Sequence, residues 1–154
     1  MLKISKKASV TLSMVLSFLF FVGLIIGAVA MPAFVDSVIE LVYNPATFPT
    51  AGKALCLALA YLILAVCLIA DCVIFALLKT VKADNVFTAK SVALIRVISW
   101  CCFLVGVLFL AVGYYFALAF ILAFASMFLG LCIRVVKNVI EQATEIKCEN
   151  DLTV

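Results

Sequence analysis

The chain has 154 residues, 69% of them hydrophobic and 12% charged, with a mean hydropathy of +1.40 and a formal charge of +3. Such a composition excludes an ordinary soluble domain, and the length leaves no room for a folded soluble domain beside a membrane bundle. With no histidine, no clustered carboxylates and no CxxC there is no credible zinc site, and no cofactor is expected.

Four apolar runs, at about residues 10–31, 54–78, 92–113 and 116–136, are each of the ~20-residue length that crosses a hydrocarbon core. A bilayer offers the backbone no hydrogen-bond partners, so each run is expected to be a helix. The predicted fold is an all-α integral membrane protein: residues 1–154 form a single domain of four transmembrane helices in one bundle. Charge sets the predicted topology. Lys3, Lys6 and Lys7 precede the first run, Lys79, Lys82, Lys90 and Arg96 surround the second break, and Arg134, Lys137 and Lys147 follow the fourth run. Only Lys53 falls on the other side. The positive-inside rule then places both termini in the cytosol, in a bacterial plasma membrane, with residues 137–154 as a cytosolic helix and tail.

The first run, preceded by lysines and ending near Ala28-Val29-Ala30, imitates a cleavable signal peptide. It is longer than a signal core of ~7–15 residues and is read as a retained helix. Gly23 and Gly27 form a GxxxG within it, and Ser9, Ser13 and Ser17 share one face. Between Pro32 and Lys53, Phe34, Val35, Val38, Ile39 and Val42 recur at helical spacing while Asp36 and Glu40 fall on the opposite face. This predicts a separate short helix in the outer interface, ended by Asn44-Pro45 and covering the helix ends.

In the second run Asp71 lies eight residues before Lys79, roughly 12 Å in from the cytoplasmic end at 1.5 Å per residue. A carboxylate at that depth needs a partner, and an intramembrane ion pair between Asp71 and Arg96 is expected; a proton or cation relay through Asp71 is the alternative. In the following loop Thr88 suits a helix N-cap and Phe87 a hydrophobic staple. Cys67, Cys72, Cys101, Cys102 and Cys132 fall inside runs, where cysteine serves as a small apolar packing residue.

Gly113-Tyr114-Tyr115 is read as a tight hairpin between the third and fourth runs. In the fourth, Ala119, Ala123, Ser126 and Gly130 make a seam of small residues for helix packing, within one chain or in a homo-oligomer. Beyond it, Val135, Val136, Val139, Ile140, Ala143 and Ile146 form an apolar stripe, with Lys137, Glu141 and Glu145 on another face.

Two segments carry a resemblance. Asn85-Val86-Phe87-Thr88 with the downstream Leu94-Ile95-Arg96-Val97-Ile98-Ser99-Trp100, and Arg134-Val135-Val136 through Glu141 to Glu149-Asn150-Asp151-Leu152-Thr153-Val154, are similar to a bacterial membrane-protein family catalogued as domain of unknown function 2975. The chain departs in having Val86 where the family often has Pro. The resemblance covers essentially the whole chain and implies no enzymatic activity. It implies a regulatory or scaffolding membrane protein, because members are often encoded beside a very small Cro-like helix-turn-helix regulator. Glu141, Glu145, Asp151, Leu152 and Val154 are the residues through which the cytosolic tail would bind such a regulator, with no direct nucleic-acid contact, since DNA-binding surfaces are basic. A small transporter or ion-coupled accessory subunit using Asp71, and a membrane thiol redox protein, stay open as alternatives.

Overall fold

The computed structural model describes residues 6–44, 47–83 and 88–152, and among these there are helices and turns but no strand. Four helices follow in chain order: α1 (Lys6–Val42), α2 (Thr50–Lys82), α3 (Ala89–Gly113) and α4 (Leu118–Leu152). All four are long and apolar enough to cross a membrane. Each extends past the apolar run that predicted it, because polar and small residues at the run ends continue the helical ladder.

The largest departure is in α1. The expected stop at Pro32 and the separate interfacial helix are replaced by one helix of 37 residues that carries Pro32 in its interior. Proline has no N–H to give to the carbonyl four residues back, here Ala28. The Tyr61 hydroxyl of α2 donates to that Ala28 carbonyl oxygen at 3.2 Å, so the acceptor left by Pro32 is satisfied from a neighbouring helix. The stretch after Pro32 then packs as part of α1. Val35 and Ile39 are buried with Cys56 of α2, and Phe48, Tyr115 and Phe116 close around them. Phe34 and Val42, expected on the same face, are 63% and 55% exposed. An ion pair from Asp36 to Lys53, 2.6 Å, ties this end of α1 to the start of α2.

The α1–α2 connection turns on Asn44, whose carbonyl accepts from the Thr47 N–H and hydroxyl at 3.0 and 2.9 Å. Pro49, extended at φ −62° and ψ 132°, precedes the first residue of α2. The α3–α4 hairpin is as tight as its sequence implied: the Tyr115 N–H reaches the Val112 carbonyl at 3.0 Å. The Tyr43 hydroxyl donates to the Tyr115 carbonyl, which joins the two turns at this end of the molecule.

The helices pack in chain order, α1 on α2, α2 on α3 and α3 most extensively on α4, while the described parts of α1 and α4 do not meet. The bundle is therefore joined chiefly between chain neighbours, although Phe34, Val35 and Val38 of α1 line a common pocket with Phe109 and Val112 of α3. Its tightest contact is α3–α4, where the small residues of α4 are used: Ala119 and Ala123 are 5% and 0% exposed. Opposite them stands Gly106, which sequence inspection did not single out. A Cβ there would lie 2.7 Å from Met127 Cγ and 3.2 Å from the Ala123 carbonyl oxygen, so only glycine admits this approach. A Cβ at Gly130 would meet Cys102 Cβ at 3.3 Å, and Ser126 is half-buried between these positions. The α1 GxxxG is not used in this way. A Cβ on Gly23 would meet nothing within 4 Å, and one on Gly27 only Leu64 at 3.9 Å.

Candidate functional site

The two ends of the bundle differ in chemistry. One end holds the aromatic turns and Lys53; the other holds the α2–α3 turn, the start of α1 and the far half of α4, with Lys79, Lys82, Lys90, Arg96, Arg134 and Lys137. The second end gathers the unusual side chains and is the candidate site.

At this end α3 begins under a cap. The Ser91 N–H donates to Thr88 Oγ1 at 3.3 Å, with the Ser91 and Thr88 hydroxyls 3.1 Å apart, as the sequence implied for Thr88. Phe87, the expected staple, lies outside the described residues. About two turns further on, the Ser99 hydroxyl donates to the Gly130 carbonyl at 2.9 Å, possible because Gly130 lets the two backbones close up. Trp100 sits under the Arg134 guanidinium, 5.5 Å from ring centroid to guanidinium carbon, a cation–π contact between α3 and α4.

Arg96 has a different partner from the one expected. Its guanidinium donates to Glu141 Oε1 at 3.2 Å, and Lys137 bonds the other oxygen of the same carboxylate. The Asp71–Arg96 pair does not form. Asp71, 5% exposed, instead accepts from the Ser17 hydroxyl of α1 at 2.8 Å. A long guanidinium near the start of α3 extends toward the end of the molecule where Glu141 is half-exposed, and leaves the deeper carboxylate to a short neutral donor. The Lys137 hydrogen bond, aided by the charges of Lys137 and Arg96, holds the Glu141 carboxyl below its ordinary range.

This network sets which side of α4 meets α3. Lys137, which shares a face with Glu141 and Glu145, has a side chain only 14% exposed. Ile140 and Ala143 are half-buried on the same side, whereas Val135, Val139 and Ile146 are 63%, 61% and 59% exposed. Around Lys137 and Glu141, α4 thus turns charge toward Arg96 of α3 while Val135 and Val139 stay exposed. It also outruns its neighbour. Ser99 is ten residues after the start of α3, while Gly130 is twenty-two residues before the end of α4, so α4 projects about twelve residues further, roughly 18 Å.

Of the residues expected to bind a partner, Glu141 is engaged within the chain and Glu145 is exposed. Asp151 and Leu152 belong to the last turn of α4, but their side chains, like Val154, lie outside the described residues. Cys56, Cys67, Cys72, Cys101, Cys102 and Cys132 are free thiols, Cys56 buried and Cys72 and Cys132 exposed.

These features define an all-helical protein with four helices of membrane-spanning length and apolarity and one long terminal helix. The chain belongs to the family described as Protein of unknown function (DUF2975), whose sequence model matches residues 5–154. Comparison with curated proteins and with solved structures finds no match.

Proposed function

We propose that this is a non-enzymatic regulatory or scaffolding protein of the bacterial plasma membrane, with both termini in the cytosol, whose projecting α4 holds a small helix-turn-helix transcription regulator at the membrane. The observation that carries the reading is the shape and chemistry of that helix. It extends past α3 as a continuous rod, with Val139 and Ile146 exposed on one side and Glu145 exposed beside them. An aliphatic stripe beyond the span is unusual for a helix end that only solvates itself, and carboxylates complement the basic surface of a DNA-binding protein. Arg96 and Lys137 hold the base of the rod through Glu141, which makes that residue a support of the docking helix. The family resemblance supplies the kind of partner. The chain itself supplies the sign of the charge and the greasy anchor.

The test is co-fractionation. In cells that carry the chain and the regulator encoded beside it, the regulator is expected with the membranes, and deleting residues 149–154 together with Ile146→Ser should release it while the four helices still insert. A regulator that stays membrane-bound with both changes in place contradicts the reading.

A second reading rests on one observation, the burial of Asp71 against Ser17 between α1 and α2. An ion-coupled accessory subunit would use that carboxylate as its relay. Normal yield with abolished ion flux in Asp71→Asn would favour it; normal flux excludes it.

A further inference from the structure

Between the last turn of α2 and the first turn of α3 lies a crevice of about 540 Å³ lined by Ala76, Lys79, Thr80, Ala83, Thr88 and Lys90. We propose that it binds a phosphate ester, with the ammonium groups of Lys79 and Lys90 gripping the phosphate from its two walls. Where the four helices span a bilayer, the phosphate is that of an anionic lipid headgroup.

Lys90 is the second residue of α3, where the backbone N–H groups of the first turn and the helix dipole make the surroundings positive and an acidic residue is the favourable choice. No acidic residue occupies that first turn. Lys79 and Lys82 stand in the last turn of α2, where cations do complement the helix end, yet α3 brings Lys90 to the same gap. Among the described residues no carboxylate lines the crevice or pairs with these lysines, whereas Lys53 has Asp36 and Lys137 has Glu141. Among the described residues, positive charge is therefore gathered around a hollow with no carboxylate in its lining, and an anion is what such a hollow attracts.

The chemistry narrows the anion. The Thr80 hydroxyl donates to the Ala76 carbonyl at 3.0 Å and the Thr88 and Ser91 hydroxyls are hydrogen-bonded to each other at 3.1 Å, so the charged donors of the crevice are the two ammonium groups. They are separate point charges and suit a tetrahedral anion with oxygens facing each wall better than a planar carboxylate, which favours a bidentate guanidinium. The Lys79 ammonium lies 4.9 Å from the centroid of the Phe75 ring, a cation–π contact that sets it beside apolar surface. The hollow is too large for a halide alone and has room for a phosphate with its esterified glycerol. The crevice also lies at the ends of two helices of spanning length, the level at which lipid phosphates sit.

The inference rests on the chain being a membrane protein, but not on which face is cytosolic or on the regulator. Its test uses the full chain in nanodiscs of phosphatidylcholine with a minor fraction of phosphatidylglycerol, which present both faces. Native mass spectrometry should show phosphatidylglycerol retained on the wild type and reduced several-fold in Lys79→Gln/Lys90→Gln, with Lys53→Gln unchanged and Lys79→Arg/Lys90→Arg largely restored. Equal retention by the Gln pair overturns the proposal. Inorganic phosphate, titrated against the detergent-solubilised chain while lysine acylation at Lys79 and Lys90 is read, separates the sources. Protection by phosphate without any lipid preference assigns a soluble phosphate ester, lipid retention without protection at millimolar phosphate assigns the headgroup, and neither effect means that the crevice is not an anion site.

Discussion

The hydroxyl of Tyr61 on α2 donates to the carbonyl of Ala28 on α1, the acceptor that Pro32 leaves without its helical partner. A bond between helices therefore repairs a defect within one helix. In hydrocarbon an unpaired carbonyl costs several kcal/mol, so this contact explains how α1 passes through a proline and still continues to Val42. Tyr61→Phe should destabilise the folded chain by ~0.5–2 kcal/mol in a mixed-micelle unfolding titration. In a Pro32→Ala background the restored N–H bonds Ala28 directly, so the same Tyr61→Phe change should cost much less. Equal costs in the two backgrounds would contradict the repair.

The contact of α3 with α4 depends on glycine at position 106 and not on the glycines of α1. Gly106→Leu places side-chain atoms where Met127 and the Ala123 carbonyl already stand, and should cost ~1–3 kcal/mol by overpacking. Gly23→Leu enters open space and should change stability by no more than about 0.5 kcal/mol. The same unfolding titration compares the two. A larger loss for Gly23→Leu would point to a partner helix on that face.

Ser17 and Asp71 make an asymmetric pair. Ser17→Ala removes the donor from a buried carboxylate and should cost about 1–3 kcal/mol, the scale for leaving such a group unsatisfied. Asp71→Asn keeps an acceptor for the Ser17 hydroxyl and should cost less. Folded yield after size-exclusion chromatography gives the order, and a reversed order would show that the charge itself is needed.

The α3–α4 staple should titrate with Glu141. Lys137 first, and Arg96 after it, hold the folded-state pKa below the unfolded value, so the contribution is present above the unfolded pKa and is lost as pH falls through the lowered folded value. Hydrogen exchange in the segment around residues 137–146 should thus stay slow through the neutral range and speed up only at acid pH below the ordinary carboxylate range. Glu141→Gln should remove that pH dependence. An acid transition of equal size in the Gln variant would assign it to another group.

How much of this was legible in the sequence depends on the reach of each interaction. The four helices, the Thr88 cap and the small-residue seam of α4 come from hydropathy, from a hydroxyl beside the residue it caps and from spacing along one helix. The repairs and pairings were not legible. Tyr61 is 33 residues from Ala28, Ser17 is 54 from Asp71, and Arg96 is 45 from Glu141. No local pattern selects Arg96 over Ser17 as the partner of Asp71; charge rules alone favoured the wrong one. The burial of Lys137 was hidden for the same reason, since Lys137 and Glu141 are one charged face of a helix until Arg96 arrives from α3. Gly106 lacked a second small residue at GxxxG spacing to mark it, because its complement, Ala123, is on the facing helix.

The central claim, that the projecting end of α4 binds a small regulator, is tested most directly by titrating the purified regulator onto the full chain held in nanodiscs. The account expects saturable binding that weakens as salt screens the carboxylates and falls at least tenfold for Glu145→Gln/Ile146→Ser with residues 149–154 removed. Glu141→Gln, which loosens the base of the helix without removing the contact surface, should weaken binding less. Binding of equal affinity by the wild type and the truncated variant, or no binding by the wild type, would contradict the account.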